Sequence, residues 1–169
     1  MNTELAKYAV KPISKGLRRN YKLFKDNEEI LEIKSFWNRY EFDYKKVVHK
    51  IKQKNISGIT YQISKIPYNI GSIHFNWKFQ GRISLKLNSK EHNYKIVSKS
   101  NFWGTKKAFI LKNDKNEVVM SIKTIYSGFL ALKVNYIIEL NKDTKAVDHI
   151  ELITYFFLSS RILTSLRGY

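Results

Sequence analysis

Residues 144–169 read TKAVDHIELITYFFLSSRILTSLRGY, and this stretch decides the fold. Val147, Ile150, Ile153, Phe157 and Leu158 fall on one helical stripe, with Asp143 or Thr144 placed to cap its start and Gly168 after its last periodic residue. Leu152, Tyr155, Phe156, Ile162 and Leu163 widen that stripe until almost the whole circumference is apolar. A helix of this kind, spanning 144–166, is either buried in protein or crosses a bilayer. Length decides against the bilayer. The uncharged run from Leu152 to Ser160 is nine residues, about 13 Å at the helical rise, against a hydrocarbon core of ~30 Å. Asp148, Glu151 and Arg161 sit close on either side. The helix belongs inside a protein core.

The chain before it alternates with period two. Ile59, Tyr61 and Ile63 point one way while Thr60, Gln62 and Ser64 point the other. Ile73, Phe75, Trp77 and Phe79 alternate with His74, Asn76, Lys78 and Gln80, and Ile83, Leu85 and Leu87 with Ser84, Lys86 and Asn88. Gly81 between these runs marks a bend or bulge rather than a full turn. Asn113-Asp114-Lys115-Asn116 is a turn signal between Phe109–Lys112 and Val118–Lys123. Further strands are expected near Tyr94–Ser98 and Ala131–Leu140. An internal echo pairs LFKDNEEILEIK at 23–34 with LKNDKNEVVMSIK at 111–123.

Many short antiparallel strands followed by one apolar helix pose a packing problem. A sheet of that size curls, and closing it removes its exposed edges. A closed barrel of about twelve strands has a lumen too wide for its own side chains to fill. A central helix fills it. The expected fold is therefore mainly β: a closed antiparallel barrel of about twelve strands around a buried C-terminal helix, with 1–169 as a single domain.

Composition bounds the function. The 169 residues are 43% apolar and 14% aromatic, which excludes a mainly disordered chain. There is no cysteine, so disulfides, zinc thiolates and thiol catalysis are excluded. No basic stretch followed by an apolar one opens the chain, so no signal peptide is read and a cytoplasmic location is expected, with peripheral membrane attachment as an extension of it. The net charge is +17, divided +10 and +7 between residues 1–85 and 86–169. A field of this sign favours nucleic acid, an anionic membrane or an acidic protein. Lys outnumbers Arg by 25 to 6, and Asn reaches 14, a bias that composition alone also produces.

The densest cluster runs from Tyr44 to Lys54, with five lysines and no acid. Read as a strand, Lys46, Val48, Lys50, Lys52 and Lys54 share one face, and Val47, His49 and Ile51 the other. Lys45, Lys46, Lys50, Lys52 and Lys54 are the primary anion-binding candidates, and Lys106 and Lys107 are secondary ones. Point-charge lysines suit a phosphate-rich surface, and the same lysines also suit a solvated strand guarded against edge pairing.

Enzymatic signatures are missing. His49, His74, His92 and His149 share no ligand spacing, and structural or surface roles are expected for them. No nucleophile elbow, dinucleotide turn or phosphate-binding Gly-Lys-Ser/Thr occurs. A metal-dependent nuclease would have to be assembled around Asp114, Glu117 and Lys123, which the hairpin reading already explains. No metal, no cofactor and no catalytic residue is expected. Phe36-Trp37 and Phe102-Trp103 are read first as core anchors at strand ends, with stacking or membrane insertion as the alternative.

The hairpin Phe109–Val119, the preceding Phe102-Trp103 and the closing helix Val147–Leu166 resemble the tubby C-terminal domain superfamily. That superfamily includes the plant LURP-one-related proteins and the phospholipid scramblases. The resemblance is one of pattern and element order over nearly the whole chain. It implies a twelve-stranded barrel around a hydrophobic helix, and a binding function, since tubby proteins hold phosphoinositide head groups with barrel-wall lysines and arginines. Scramblase-like members carry an acidic calcium segment and palmitoylated cysteines. Here Asp143, Asp148 and Glu151 belong to a helix start and cysteine is lacking, so scrambling is not implied. The expected function is non-enzymatic docking on anionic phospholipid head groups. The alternatives are a nucleic-acid-binding barrel using the same surface and a protein-interaction module.

Overall fold

The computed structural model describes residues 6–14, 19–55, 57, 59–76, 78, 80–100, 107–127, 133–141 and 147–167. Twelve strands precede one helix: β1 (Lys7–Pro12), β2 (Tyr21–Lys25), β3 (Glu28–Ser35), β4 (Arg39–Tyr44), β5 (Val47–Gln53), β6 (Thr60–Lys65), β7 (Tyr68–Phe75), β8 (Gly81–Leu87), β9 (Lys90–Ser100), β10 (Lys107–Asn113), β11 (Val118–Ser127), β12 (Lys133–Leu140) and α1 (His149–Arg167). Each strand pairs antiparallel with its sequence neighbours, and β1 closes on β12, with Tyr8 opposite Ile138 and Val10 opposite Tyr136. The expected closed barrel is the observed fold.

Period two explains the wall. Ile63 on β6, Ile73 and Phe75 on β7, Ile83 and Leu85 on β8 and Ile96 on β9 all point into the lumen and are buried. The helix fills that lumen: every residue from Ile150 to Ser160 is buried, whichever way it faces. Leu152, Ile153, Phe156, Phe157, Leu158 and Leu163 are fully enclosed. At ~1.5–3 kcal/mol for each side chain, their burial contributes on the order of 10 kcal/mol gross, comparable to the net stability of a whole domain. The helix is the core.

Its N-cap is Asp148, whose Oδ1 accepts a hydrogen bond from the Ile150 amide at 2.9 Å. The expected caps, Asp143 and Thr144, lie outside the described residues. The competition is settled by Asp148, which sits immediately before the first helical residue with an oxygen on an unpaired amide.

A consecutively paired barrel sorts its connections onto two ends. At one end lie tight turns: Asp26-Asn27, Lys45-Lys46 and Asn88-Ser89, each with both residues at positive φ, and the Ile66-Pro67 turn. The echo between the two halves is a repeated hairpin at this end, β2–β3 and β10–β11. In both, the register shifts immediately after the matching leucine, Leu23 or Leu111. At the other end lie the connections 13–20, 36–38, 54–59, 76–80, 101–106 and 128–132.

One expectation is corrected here. Gly81 is not a bend within a continuing strand; β7 ends at Phe75 and β8 begins at Gly81. Asn76 breaks the run, because its Oδ1 accepts hydrogen bonds from the Lys78 and Gln80 amides, both at 3.0 Å, and so closes a turn. Gly81 then packs under the strand it follows: a Cβ there would lie 3.0 Å from both Phe75 and Ile96.

Candidate anion-binding surface

The lysine cluster divides once it is folded. Lys45 and Lys46 form the β4–β5 turn with φ of 51° and 62°, a two-residue geometry that normally draws Asn and Gly. The Lys45 ammonium reaches Asp148 Oδ2 at 2.7 Å, tying this turn to the helix N-terminus. Burial works to raise the Asp148 carboxyl, and the bonds from Lys45 and the Ile150 amide outweigh it, leaving the group below its ordinary value. Lys50 lies 3.2 Å from Glu41 Oε1, which Arg39 also holds at 2.8 Å. Burial again opposes these two bonds, and the Glu41 carboxyl ends below its ordinary value. Lys46, Lys52 and Lys54 are exposed without an ion-pair partner among the described residues.

The predicted face is real, with Lys50 and Lys52 outward and His49 and Ile51 in the lumen. It is not one patch. From Lys46 to Lys54 the row runs about 26 Å along the wall at the rise of a strand. Lys46 therefore belongs to the tight-turn end, and Lys52 and Lys54 lie toward the other. Lys106 and the side chain of Lys107 lie outside the described residues; Lys107 opens β10 opposite Ser100.

Cross-strand register builds a second basic row. Lys54 donates its backbone amide to Thr60 at 2.9 Å, and Thr60 lies opposite His74, His74 opposite Arg82, Arg82 opposite Lys95, and Lys95 opposite Lys112. His74, Arg82 and Lys95 are exposed, and no acid stands in this row. Like charges placed directly opposite destabilise a sheet. Residues 28 and 13 positions apart in sequence carry no local signal, and only the strand pairing brings them together.

The long-connection end has its own chemistry. Among the described residues its connections carry Trp37 and not one Asp or Glu. They also carry Arg19, Lys54 and Lys78. Among the described residues, Trp37 is 82% exposed and Phe36 38%, with the Arg39 guanidinium 4.2 Å over the Phe36 ring. The reading of Phe36-Trp37 as a core anchor is thereby corrected: the β3–β4 connection is too short to fold back over the lumen, which the helix already fills. Phe102-Trp103 lies outside the described residues.

Elsewhere the expected structural histidine is found. His49 is completely buried between Phe42 and the helix, stacked on Phe42 at 4.6 Å and 2.8 Å from the Tyr155 hydroxyl. The imagined nuclease residues are occupied otherwise: Glu117 accepts from Asn113 Nδ2 at 2.8 Å within the hairpin turn, and Lys123 pairs with Glu139 at 3.0 Å. Among the described residues no group of three or more His, Asp or Glu is placed to hold a metal. No helix is long and apolar enough to cross a membrane. Comparison with protein-family models, curated proteins and solved structures finds no match for this chain.

Proposed function

We propose that this barrel is a non-enzymatic module that docks end-on, through its long-connection rim, onto anionic phospholipid surfaces. The observation that carries the reading is the sorting of connections: among the described residues, one end carries the exposed Trp37 with Lys54 and Lys78 and no acid, whereas the turns at the other end carry Asp26, Asp114 and Glu117. Tryptophan favours the boundary between head groups and acyl chains, where its ring is buried and its N–H stays wet. Each Lys or Arg near an anionic leaflet adds ~1 kcal/mol, so the cations of this rim suffice for reversible attachment. A flat membrane also meets a rim more completely than it meets a curved wall. The element order supports kinship with the tubby-like barrels, and the rim moves the expected site from the lysine row to its Lys54 end.

Vesicle co-sedimentation tests this, with phosphatidylcholine alone and with added phosphatidylserine at ~150 mM salt, where screening suppresses weak long-range attraction. Binding only to the anionic vesicles is expected. Trp37→Ala with Lys78→Glu is expected to abolish it, and Lys46→Glu at the opposite end to leave it unchanged. Equal loss from Lys46→Glu would sink the end-on geometry.

A second reading is favoured by one observation, the acid-free row from Lys54 to Lys112. It winds across five strands, β6 to β10, a shape that suits a flexible polyanion such as single-stranded nucleic acid. Oligonucleotide binding that falls steeply with salt and is lost in Arg82→Glu, with vesicle binding intact, would place nucleic acid on the wall.

A further inference from the structure

Asp43 and Glu91 enclose 47 residues with nine Lys, one Arg and no acid. That stretch supplies β5, β6, β7 and β8, four neighbours among the twelve strands of the barrel. Among the described residues, carboxylates reach it only from outside: Glu41 on β4 takes Lys50, and Asp148 and Glu151 on the helix take Lys45 and Lys65. Lys52, Lys54, Arg82 and the adjoining Lys95 have no ion pair among the described residues.

Register arranges the outward side chains of this sector in two parallel lanes. The first is the basic row from Lys54 through Thr60, His74 and Arg82 to Lys95. The second lies two residues nearer the tight-turn end on every strand, about 7 Å away. In it Lys52 stands opposite Gln62, Gln62 opposite Ser72, Ser72 opposite Ser84, and Ser84 opposite Asn93. After Lys52 this lane is neutral, and every member is a half-buried hydroxyl or amide. Ser84 donates to Asn93 Oδ1 at 2.6 Å, which leaves the Ser84 lone pairs and the Asn93 amide hydrogens for another group. Gln62 and Ser72 make no side-chain hydrogen bond among the described residues. Neither lane contains Phe, Tyr or Trp.

A lane of cations beside a lane of neutral donors and acceptors matches a polymer whose repeating charge has a hydroxyl next to it. We infer that the wall from β5 to β9 holds single-stranded RNA by its sugar–phosphate backbone. Lys54, Arg82 and Lys95 take phosphates, and Gln62, Ser72, Ser84 and Asn93 take ribose 2′-hydroxyls. The assignment rests on the reading of this wall as a polyanion surface and adds which polyanion it takes. The 2′-hydroxyl, both donor and acceptor, is what separates RNA from DNA at a backbone site. Phosphate and sugar contacts position a strand without reading its sequence, and with no Phe, Tyr or Trp in either lane the bases have no such ring to stack on. The wall is convex, so a flexible strand follows both lanes, whereas a rigid duplex meets it along one line.

The test is fluorescence anisotropy of the full chain with labelled oligouridylate and oligodeoxyuridylate, each roughly ten nucleotides long, at ~150 mM salt. The two differ only in the 2′-hydroxyl. RNA binding about three- to tenfold tighter than DNA is expected, the range a hydrogen bond supplies. Oligocytidylate should bind within about twofold of oligouridylate, because backbone contacts carry no sequence. Gln62→Ala with Ser72→Ala removes no charge and no hydrogen bond of the fold, so the thermal midpoint should hold while the RNA preference falls to about twofold or less. Arg82→Gln should weaken RNA and DNA alike and reduce the slope of log affinity against log salt by ~0.7. DNA bound as tightly as RNA, or a preference that survives the double variant, would overturn the RNA assignment while the polyanion reading stands. Binding of neither oligonucleotide would overturn both. Loss of phosphatidylserine-vesicle binding in Arg82→Gln, with both oligonucleotides ignored by the parent, would give the wall to a membrane instead.

Discussion

His49 Nδ1 lies 2.8 Å from the Tyr155 hydroxyl, so a wall strand and the central helix share a hydrogen bond that no water reaches. The two residues are 106 positions apart, and each comes from the apolar face of its own element. Around them stand the Glu151 carboxylate, 3.9 Å from His49 Nε2, and Lys65, which pairs with Glu151 at 2.8 Å. Asp43 and Asp148 are the more distant acids. This polar knot sits at the helix start and ties the helix to β5 and β6.

Stability should fall with acid through His49. Burial first, and then the Lys65 charge, lower its pKa from 6.5 to about 4, against weaker upward pulls from Asp148 and Asp43. Between these values the unfolded chain binds a proton that the folded chain refuses, so stability rises with pH across that window and is lost as pH falls from 6.5 toward 4. The full effect is on the order of 3 kcal/mol. Denaturant midpoints at pH 7 and pH 4.5 measure it. His49→Phe should flatten that part of the profile.

Tyr155→Phe removes the partner of His49 without changing the packing volume. The ring nitrogen it leaves is buried, and Nε2 already lacks a hydrogen bond, so a cost of about 1–3 kcal/mol is expected. His49→Phe made in that background should recover part of it, because replacing both partners by apolar groups removes the desolvation penalty. A double-mutant cycle of thermal midpoints reads this directly; strictly additive losses would show that the pair is not coupled.

The Lys45-Lys46 turn is conformationally costly. Left-handed backbone costs an L-residue roughly 1–2 kcal/mol, while the Lys45–Asp148 pair, with its ammonium open to solvent, returns less. Lys45→Asn with Lys46→Gly should therefore raise stability by about 1 kcal/mol, seen as a higher thermal midpoint. Asp148→Asn should keep the helix cap and cost little, whereas Asp148→Ala should cost about 0.5–2 kcal/mol.

Periodicity made the barrel and its helix legible because both are dictated by which face of an element is apolar. Leu152–Leu158 has no polar side at all, and the wall strands have one each, so only one arrangement buries everything. The site was less legible. Lys50 and Lys52 point outward as their alternation requires, yet nothing in the local sequence shows that Glu41 neutralises Lys50 across the β4–β5 pair. The alternating run that begins at Ile73 continues past Phe75 in the sequence, because an Asx turn at Asn76 looks like any outward polar residue. That Trp37, Lys54 and Lys78 share one end emerges only when connections are assigned to ends. The row His74–Arg82–Lys95–Lys112 requires the register itself.

That row makes a prediction in which stability and binding move in opposite directions. Arg82 stands between His74 and Lys95, with Lys112 one strand further, and no carboxylate pairs with them among the described residues. A glutamate at 82 would face Lys95 as an opposite-charge pair, and cross-strand pairs of this kind contribute roughly 0.2–1 kcal/mol. Arg82→Glu should therefore raise the denaturant midpoint at low salt, and the gain should shrink as salt screens the pair. If the row serves a polyanion, the same variant should bind it at least about tenfold more weakly, because a favourable contact is lost and a repulsive one added. A variant more stable than its parent and weaker in binding would show that the like charges are kept for a ligand. Higher stability with polyanion binding unchanged would show that the row serves no polyanion, and that its repulsion is tolerated because solvent and salt screen it.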